Sequence, residues 1–336
     1  VVLIGAWIGW ATRTKPVKIS ASAVTRGTVE KTVANTRAGT VKACRRAKLS
    51  PSAGGQIASH TVFGETLLGE KPADDRDLRR TLDAALQNFD AEGSALLHAI
   101  PLTWHIDDHA GVHDPRGMFG RSLGVDVHVV TASASPVRNL ALCVERARLG
   151  LSGVVATPYA SGLATLVPDE IDLGVTVIDM GGGVTSSAVF IDGALVFVDA
   201  ARIGGAHISN DLARGLSTPI VEAEQIKRRF GGLEERADEP NEPIVCPQLG
   251  DAGAQIQVSR ATVRDIVRPR VEETLEIVRD RLAAAGVLRA AGPRVVLTGG
   301  ASRLAGVEQL AADILGKRVR VARPYGVEGL PEGDDG

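Results

Sequence analysis

The chain is poor in the residues that carry simple side-chain chemistry. Its three cysteines, Cys44, Cys143 and Cys246, lie far apart in 336 residues. That spacing excludes a disulfide framework and a zinc site, and it fits a reducing compartment. Histidine is scattered as well, with His98, His128 and His207 set among apolar neighbours, where they read as core or surface groups. No Ser/His/Asp or Cys/His arrangement is visible. The net charge is only -2 at pH 7, which gives no whole-chain case for a nucleic-acid partner. Aromatic residues make up 3%. A long apolar run is lacking too: Val1 to Ala11 is apolar, but so short a stretch is about half a membrane span. It reads equally as the tail of an anchor or as a terminal strand.

What is present is a globular composition, 44% apolar and rich in Ala, Val, Leu and Gly, long enough for two or three domains. The most informative stretch runs from Leu173 to Gly205. Val175 to Ile178 reads as a buried strand ending at Asp179, followed by Gly181, Gly182 and Gly183. Thr185, Ser186 and a second apolar run, Ala188 to Ile191, come next. Asp192-Gly193 is a tight-turn signal, and a third run, Ala194 to Val198, leads to Gly204-Gly205. In a dinucleotide-binding unit the glycine turn would open a helix; here it opens a strand. Glycine lets backbone N–H groups approach a phosphate closely, because no Cβ intervenes. Thr185 and Ser186 add hydroxyl donors, and Asp179 is placed to hold a metal through water.

Residues 15–66 have a different character. Val24 to Val33 and Gly39 to Ala43 alternate like strands, and Gly55-Gln56-Ile57 to Val62-Phe63-Gly64 adds glycine punctuation. These residues resemble the start of the periplasmic adaptors of tripartite efflux pumps. A charged, Pro-containing junction is expected at 67–79. Beyond it, Leu78 to Phe89 has helical spacing, Leu96 to Pro101 and Leu123 to Thr131 read as strands around a loop at Val112 to Gly120, and Ser135-Pro136 opens a helix through Arg148. This predicts a compact αββα-type subdomain over 80–150.

After the central hairpin, Ser209 or Asn210 caps a helix toward Leu216. Glu222 to Phe230 forms another, closed by Gly231 and placing Glu224 and Lys227 on one face. An acidic run and two short strand-like pieces precede a long helix, Ala261 to Leu288, that Pro269 is expected to interrupt. Arg294 to Thr298 reads as a buried strand. Gly299-Gly300 follows, then Ser302 as an N-cap and a helix from Arg303 to Leu315. A glycine pair between strand and helix lets a flat base lie on the backbone.

The ordered set LLHAIP, DPRGMFG, VDVHVVT, VVATPYASGLATL, DMGGG, RIGGAHISNDLARGL, AEQIKRRFG and VVLTGGASRLAGV resembles the FtsA family of actin-like bacterial cell-division proteins, over about residues 75–323. The resemblance implies an α/β fold: an actin-like ATPase (ribonuclease H-like) lobe at 151–205 and 269–323, with a small subdomain at 206–268. An inserted αββα-type interaction subdomain at 80–150 and a small β segment at 1–66 precede it, and an acidic tail at 324–336 ends the chain. It implies ATP and Mg as cofactors, with at most slow ATPase activity and no catalytic side chain assigned. The nucleotide residues it implies are Asp179, Gly181, Gly182, Gly183, Thr185, Ser186, Gly204, Gly205, Glu224, Lys227, Gly299, Gly300 and Ser302, with Asp179 also the metal residue. Glu224 and Lys227 would reach the ribose.

The implied partners are the FtsZ C-terminal tail at 206–268, other copies of the chain in filaments through about 80–150, other divisome proteins and the inner membrane. The implied place is the cytoplasmic face of that membrane. Three departures stand out. No second phosphate hairpin lies upstream, so the first actin-like lobe is expected to be absent. The terminal PEGDDG is acidic and non-helical, which gives no membrane-binding helix. Val184 stands where the family more often has Thr. Two other readings remain: an efflux-adaptor fragment, and a sugar kinase or chaperone-type relative with the same ATPase core.

Overall fold

The computed structural model describes residues 57–87, 89, 93–234, 243–250 and 253–325. The adaptor-like pieces before residue 57 and the acidic tail beyond 325 lie outside the described residues.

Two sheets and their helices carry the architecture. The first sheet contains β1 (Ile57–Leu67), β2 (Ser94–Ile106), β3 (His109–Val112) and β4 (Ser122–Ser133), in the order β1-β4-β2-β3. All its pairings are antiparallel. Period-two alternation in β4 turns Leu123, Val125, Val127 and Val129 to one face, all fully buried. Helix α1 (Asp75–Gln87) covers that face with Leu78, Ala85 and their neighbours. Contact is closest at Gly64, where a Cβ would fall 2.6 Å from the Ala85 Cβ. Helix α2 (Ala134–Arg146) follows β4 and has no buried residue.

This changes the expected boundary. β1 pairs with β4 without a slip from Ile57↔Ala132 to Leu67↔Ser122, so residues 57–66 belong to the inserted sheet and not to a separate adaptor-like module. The subdomain is therefore β-α-β-β-β-α and not αββα. An isolated alternating run shows which side chains share a face but not which strand it joins, and here the partner lies far along the chain.

The second sheet contains β5 (Val175–Met180), β6 (Thr185–Ile191), β7 (Ala194–Ala201), β10 (Arg294–Thr298) and β11 (Arg318–Val321), in the order β11-β10-β5-β6-β7. The β5-β6-β7 meander is antiparallel, and β10 runs parallel to both β5 and β11. This is the ribonuclease H-like lobe of the actin-like ATPases. The β6–β7 turn has φ +49° at Asp192 and +82° at Gly193, as an Asp-Gly hairpin turn requires.

Apolar cores lie on both faces of this sheet. On one, Ile178, Met180, Val189, Val295 and Leu297 pack with α5 (Gly205–Gly215), α6 (Ile220–Phe230), α7 (Arg260–Ala284) and α9 (Val307–Leu315). Ile244 and Cys246 of the two-stranded ribbon β8 (Ile244–Pro247) and β9 (Gln255–Val258) join the same core, so the described residues of 206–268 pack on the core of the lobe. On the other face, Val175, Val177, Ala188 and Phe190 pack with α3 (Thr157–Thr165), α4 (Pro168–Leu173) and Ile57, Ile100 and Val130 of the inserted sheet.

Three local expectations change. Helix α7 runs through Pro269 without a break, because buried Val263, Val267, Val271 and Leu275 hold both halves on one core and outweigh the lost N–H. Helix α5 begins at Gly205, a turn before the expected Ser209 or Asn210 cap. After β10 the chain makes a 3-10 turn (Gly300–Arg303), a short helix α8 (Val287–Ala290) having preceded the strand, and α9 starts only at Val307, so Ser302 is not its N-cap. Among the described residues, no helix is long and apolar enough to cross a membrane.

Candidate functional site

The site forms where β5 ends. The Gly181 N–H donates to the Val184 carbonyl (3.1 Å) and closes the turn between β5 and β6. The carbonyls of that turn then cap α5: Gly205 N–H donates to Gly181 O (2.8 Å) and Ala206 N–H to Gly182 O (2.5 Å). Two leading N–H groups of the helix are thus satisfied by backbone. Only a glycine permits this approach at 204, because a Cβ there would collide with the Gly181 carbonyl oxygen and lie 2.9 Å from Gly182 O. Among the described residues, the Gly182 and Gly183 amides donate to no acceptor. They remain half-buried donors at the mouth of the turn.

The second glycine motif arrives at the same point. In the β5–β10 ladder Thr298 is registered against Asp179, so Gly299 lies beside the Asp179 carboxylate. Gly299 has φ +86°, and a Cβ there would collide with Asp179 Oδ1 and fall 2.8 Å from Met180 O. Ser302 donates both its N–H (3.1 Å) and its Oγ–H (2.7 Å) to Gly299 O and so tightens the 3-10 turn. A cavity of about 430 Å³ opens beside this turn, lined by Gly299, Ser302, Leu304, Val321, Arg303 and Arg323. That volume is in the range of small-molecule sites.

A polar cluster stands on the other side of Gly205. Lys227 Nζ, 9% exposed, donates to Gly205 O (2.9 Å), Ser209 Oγ (2.9 Å) and Glu224 Oε2 (2.6 Å). All three ammonium protons are used, so Lys227 braces the site and is not a free ribose ligand. Glu224 is more open and also accepts from Ser209 Oγ at 2.5 Å. Burial works to raise its pKa, but the Lys227 and Ser209 hydrogen bonds outweigh that and hold it below the ordinary carboxylate value. Among the described residues, Glu224 Oε1 faces Arg228 Nε, at 3.8 Å.

Of the expected site residues, Asp179, Gly181, Gly182, Gly204, Gly205, Gly299, Ser302, Glu224 and Lys227 are joined by the contacts above around the end of β5, with Gly183 and Gly300 next to them in sequence, while only Gly299 and Ser302 of the set line the cavity. Thr185 does not offer its hydroxyl: it is 1% exposed and donates to Ile203 O at 2.8 Å. Ser186 is registered opposite Asp179 but is 6% exposed. Both lie already inside β6, where packing on either side encloses them.

One residue escaped the sequence reading. Ser161 on α3 donates to Asp179 Oδ2 at 2.7 Å. No spacing rule points to a serine in the helix before the strand. Among the described residues, no cluster of His, Cys, Asp and Glu forms a multi-ligand metal site. Asp179 as a single carboxylate beside free amides fits a hydrated cation held with a phosphate, the usual manner for Mg²⁺.

The chain matches two family models: "Cell division protein FtsA" over residues 176–332 and "SHS2 domain inserted in FTSA" over 54–131. The second match begins before β1, in agreement with the register of that strand. The cell division protein FtsA of Agrobacterium fabrum is 47% identical over 279 residues, covering 82% of this chain and 63% of that protein. The FtsA of Pseudomonas aeruginosa is 33% identical, covering 83% and 67%, and that of Neisseria meningitidis is 34% identical, covering 83% and 68%. The chain thus spans about two thirds of the length of these relatives. Among solved structures, the PilM-PilN type IV pilus biogenesis complex aligns with a TM-score of 0.53 at 18% identity, covering 80% of this chain and 67% of that one; this likeness concerns the fold. With two family models in register with the two sheets, and relatives of this identity along most of both chains, this chain belongs to the FtsA family of cell-division proteins.

Proposed function

We propose that the chain binds ATP with Mg²⁺ at the Asp179 cleft and serves as a nucleotide-responsive scaffold in cell division. The observation that carries this reading is the convergence of the two glycine motifs on one carboxylate. Among the described residues, Gly182 and Gly183 present N–H groups that have no acceptor of their own, as a phosphate cradle needs. Asp179 stands beside them to hold the cation through water. Glu224, braced by Lys227, offers Oε1 to ribose hydroxyls. Gly299 and Gly300 leave a flat backbone for the base. When bound, Mg²⁺ would neutralise phosphate charge, and the reading carries at most slow hydrolysis.

In this reading, self-association uses the inserted subdomain, the ribbon and helices of 206–268 receive the FtsZ tail, and the assembly works with other divisome proteins at the cytoplasmic face of the inner membrane. Family membership supports these roles. The test is twofold. Sedimentation with MgATP should pellet the protein above its critical concentration. Fluorescence polarisation should show saturable binding of an FtsZ C-terminal tail peptide. Failure of both assays would remove the scaffold reading and leave the fold standing.

A further inference from the structure

We propose that Ser161 is a positioning residue for Asp179, and that the Mg²⁺-dependent part of nucleotide binding depends on its hydroxyl. This rests on the nucleotide reading above and adds a residue to it.

The carboxylate of an aspartate turns on a broad, shallow torsion, so two external contacts are needed to define where both oxygens point. Here both exist. Ser161 Oγ donates to Oδ2 at 2.7 Å from one side. On the other, Oδ1 occupies the space left by the missing Cβ of Gly299. The ladder pairing of Asp179 with Thr298 and Ser186 fixes the backbone between them. The carboxylate is therefore aimed before any ligand arrives, with Oδ1 toward the two glycine turns.

The platform that carries Ser161 is itself tied down. At its start, the Ala156 N–H donates to His98 Nε2 of the inserted sheet at 2.9 Å. In its middle, Gly162 lies against the Phe190 ring so closely that a Cβ would fall 2.6 Å from it. Near its end, Tyr325 N–H donates to Ala164 O (3.0 Å) and Arg320 Nη2 to Thr165 O (3.0 Å). A hydroxyl used only for helix stability would bond back to its own carbonyls, as Thr165 Oγ1 does to Ser161 O at 2.7 Å. Ser161 points out of its helix to the carboxylate instead.

The test is isothermal titration of the full chain with ATP, once in Mg²⁺ and once in EDTA, for wild type, Ser161→Ala and Ser161→Thr. Losing a hydrogen bond to a charged group predicts that the affinity gain from Mg²⁺ falls about tenfold in Ser161→Ala. The EDTA affinity should be unchanged, and Ser161→Thr should restore the gain. If the alanine variant folds poorly, Ser161→Cys, close in size and a weaker donor, should show the same selective loss. An unchanged Mg²⁺ gain in Ser161→Ala overturns the proposal. So does an equal loss in Mg²⁺ and EDTA, which marks a purely structural role. A wild-type chain that binds no ATP in Mg²⁺ removes the nucleotide reading and this proposal together, and it does so before any variant is made.

Discussion

The Ser59 hydroxyl stands in for a missing strand beside Val198. Ser59 Oγ accepts the Val198 N–H at 2.7 Å and donates to the Val198 carbonyl at 2.9 Å. Val198 is 1% exposed and lies on β7, the edge of the ATPase-type sheet. An edge strand needs its outward N–H and C=O satisfied, and one side chain of the inserted sheet does both. Ser59→Ala would leave two buried backbone groups without partners, at a cost of about 1–3 kcal/mol. A urea unfolding curve should show the midpoint falling by that equivalent. An unchanged midpoint would mean that water or a shift of β1 replaces the hydroxyl.

Beside that contact, His128 is fully buried with Nε2 3.0 Å from Ser59 Oγ. Burial pushes its pKa down from 6.5 to about 4, with a smaller opposing contribution from a backbone group. The folded-state pKa is depressed, so the unfolded chain binds the proton first. Stability from the neutral ring is complete above pH 6.5 and is lost as pH falls toward about 4. His98, shifted down by burial, acts in the same direction. Melting temperature should therefore decline across this window, and His128→Gln should flatten part of the slope. A slope identical in the variant would show that carboxylates elsewhere account for it.

Gly299→Ala tests the meeting of the glycine motifs. The variant must hold φ near +86° and place a methyl into Asp179 Oδ1. The backbone alone costs about 1–2 kcal/mol, and the collision displaces the carboxylate. Gly316→Ala is the control, since Gly316 has φ +62° with nothing within 4 Å of its Cβ position. Both variants should lose thermal stability, but only Gly299→Ala should lose nucleotide binding.

Lys227→Met removes one cation that holds three acceptors. Gly205 O and Ser209 Oγ would lose a buried donor, and Glu224 would be held by Ser209 alone among its close partners. The expected loss is about 1–3 kcal/mol. A titration of Glu224 followed by NMR should show its pKa rising, because the hydrogen bond from Lys227 helps to keep it low. A Glu224 pKa equal to that of wild type would assign the effect to Ser209.

Much of this architecture was legible in the sequence because it is local. The DMGGG turn between two apolar runs and the Asp192-Gly193 turn fix a meander, and the glycine pair after RVVLT marks a second turn. Their meeting at Asp179 follows from β10 pairing with β5; the resemblance implied a shared nucleotide site, but not that pairing. What was not legible is long-range or depends on burial. β1 reads as a complete strand wherever it is placed, and only its register with β4 assigns it to the inserted sheet. The resemblance made Lys227 a ligand, whereas its spacing from Glu224 alone reads as a solvated salt bridge; its three acceptors come from two helices, α5 and α6. Thr185 looked like a phosphate donor until Ile203 O claimed its proton. Ser161 had no signal, since its partner lies across a helix–sheet contact.

The central claim is that the Asp179 cleft holds a nucleotide. The most direct measurement is a titration of the full chain with a fluorescent ATP analogue in Mg²⁺, alongside Asp179→Ala, with unlabelled ATP as competitor. The account predicts saturable binding that ATP displaces, and its loss in a variant whose circular dichroism matches wild type. Equal binding by both proteins, or no displaceable binding by wild type, would contradict it.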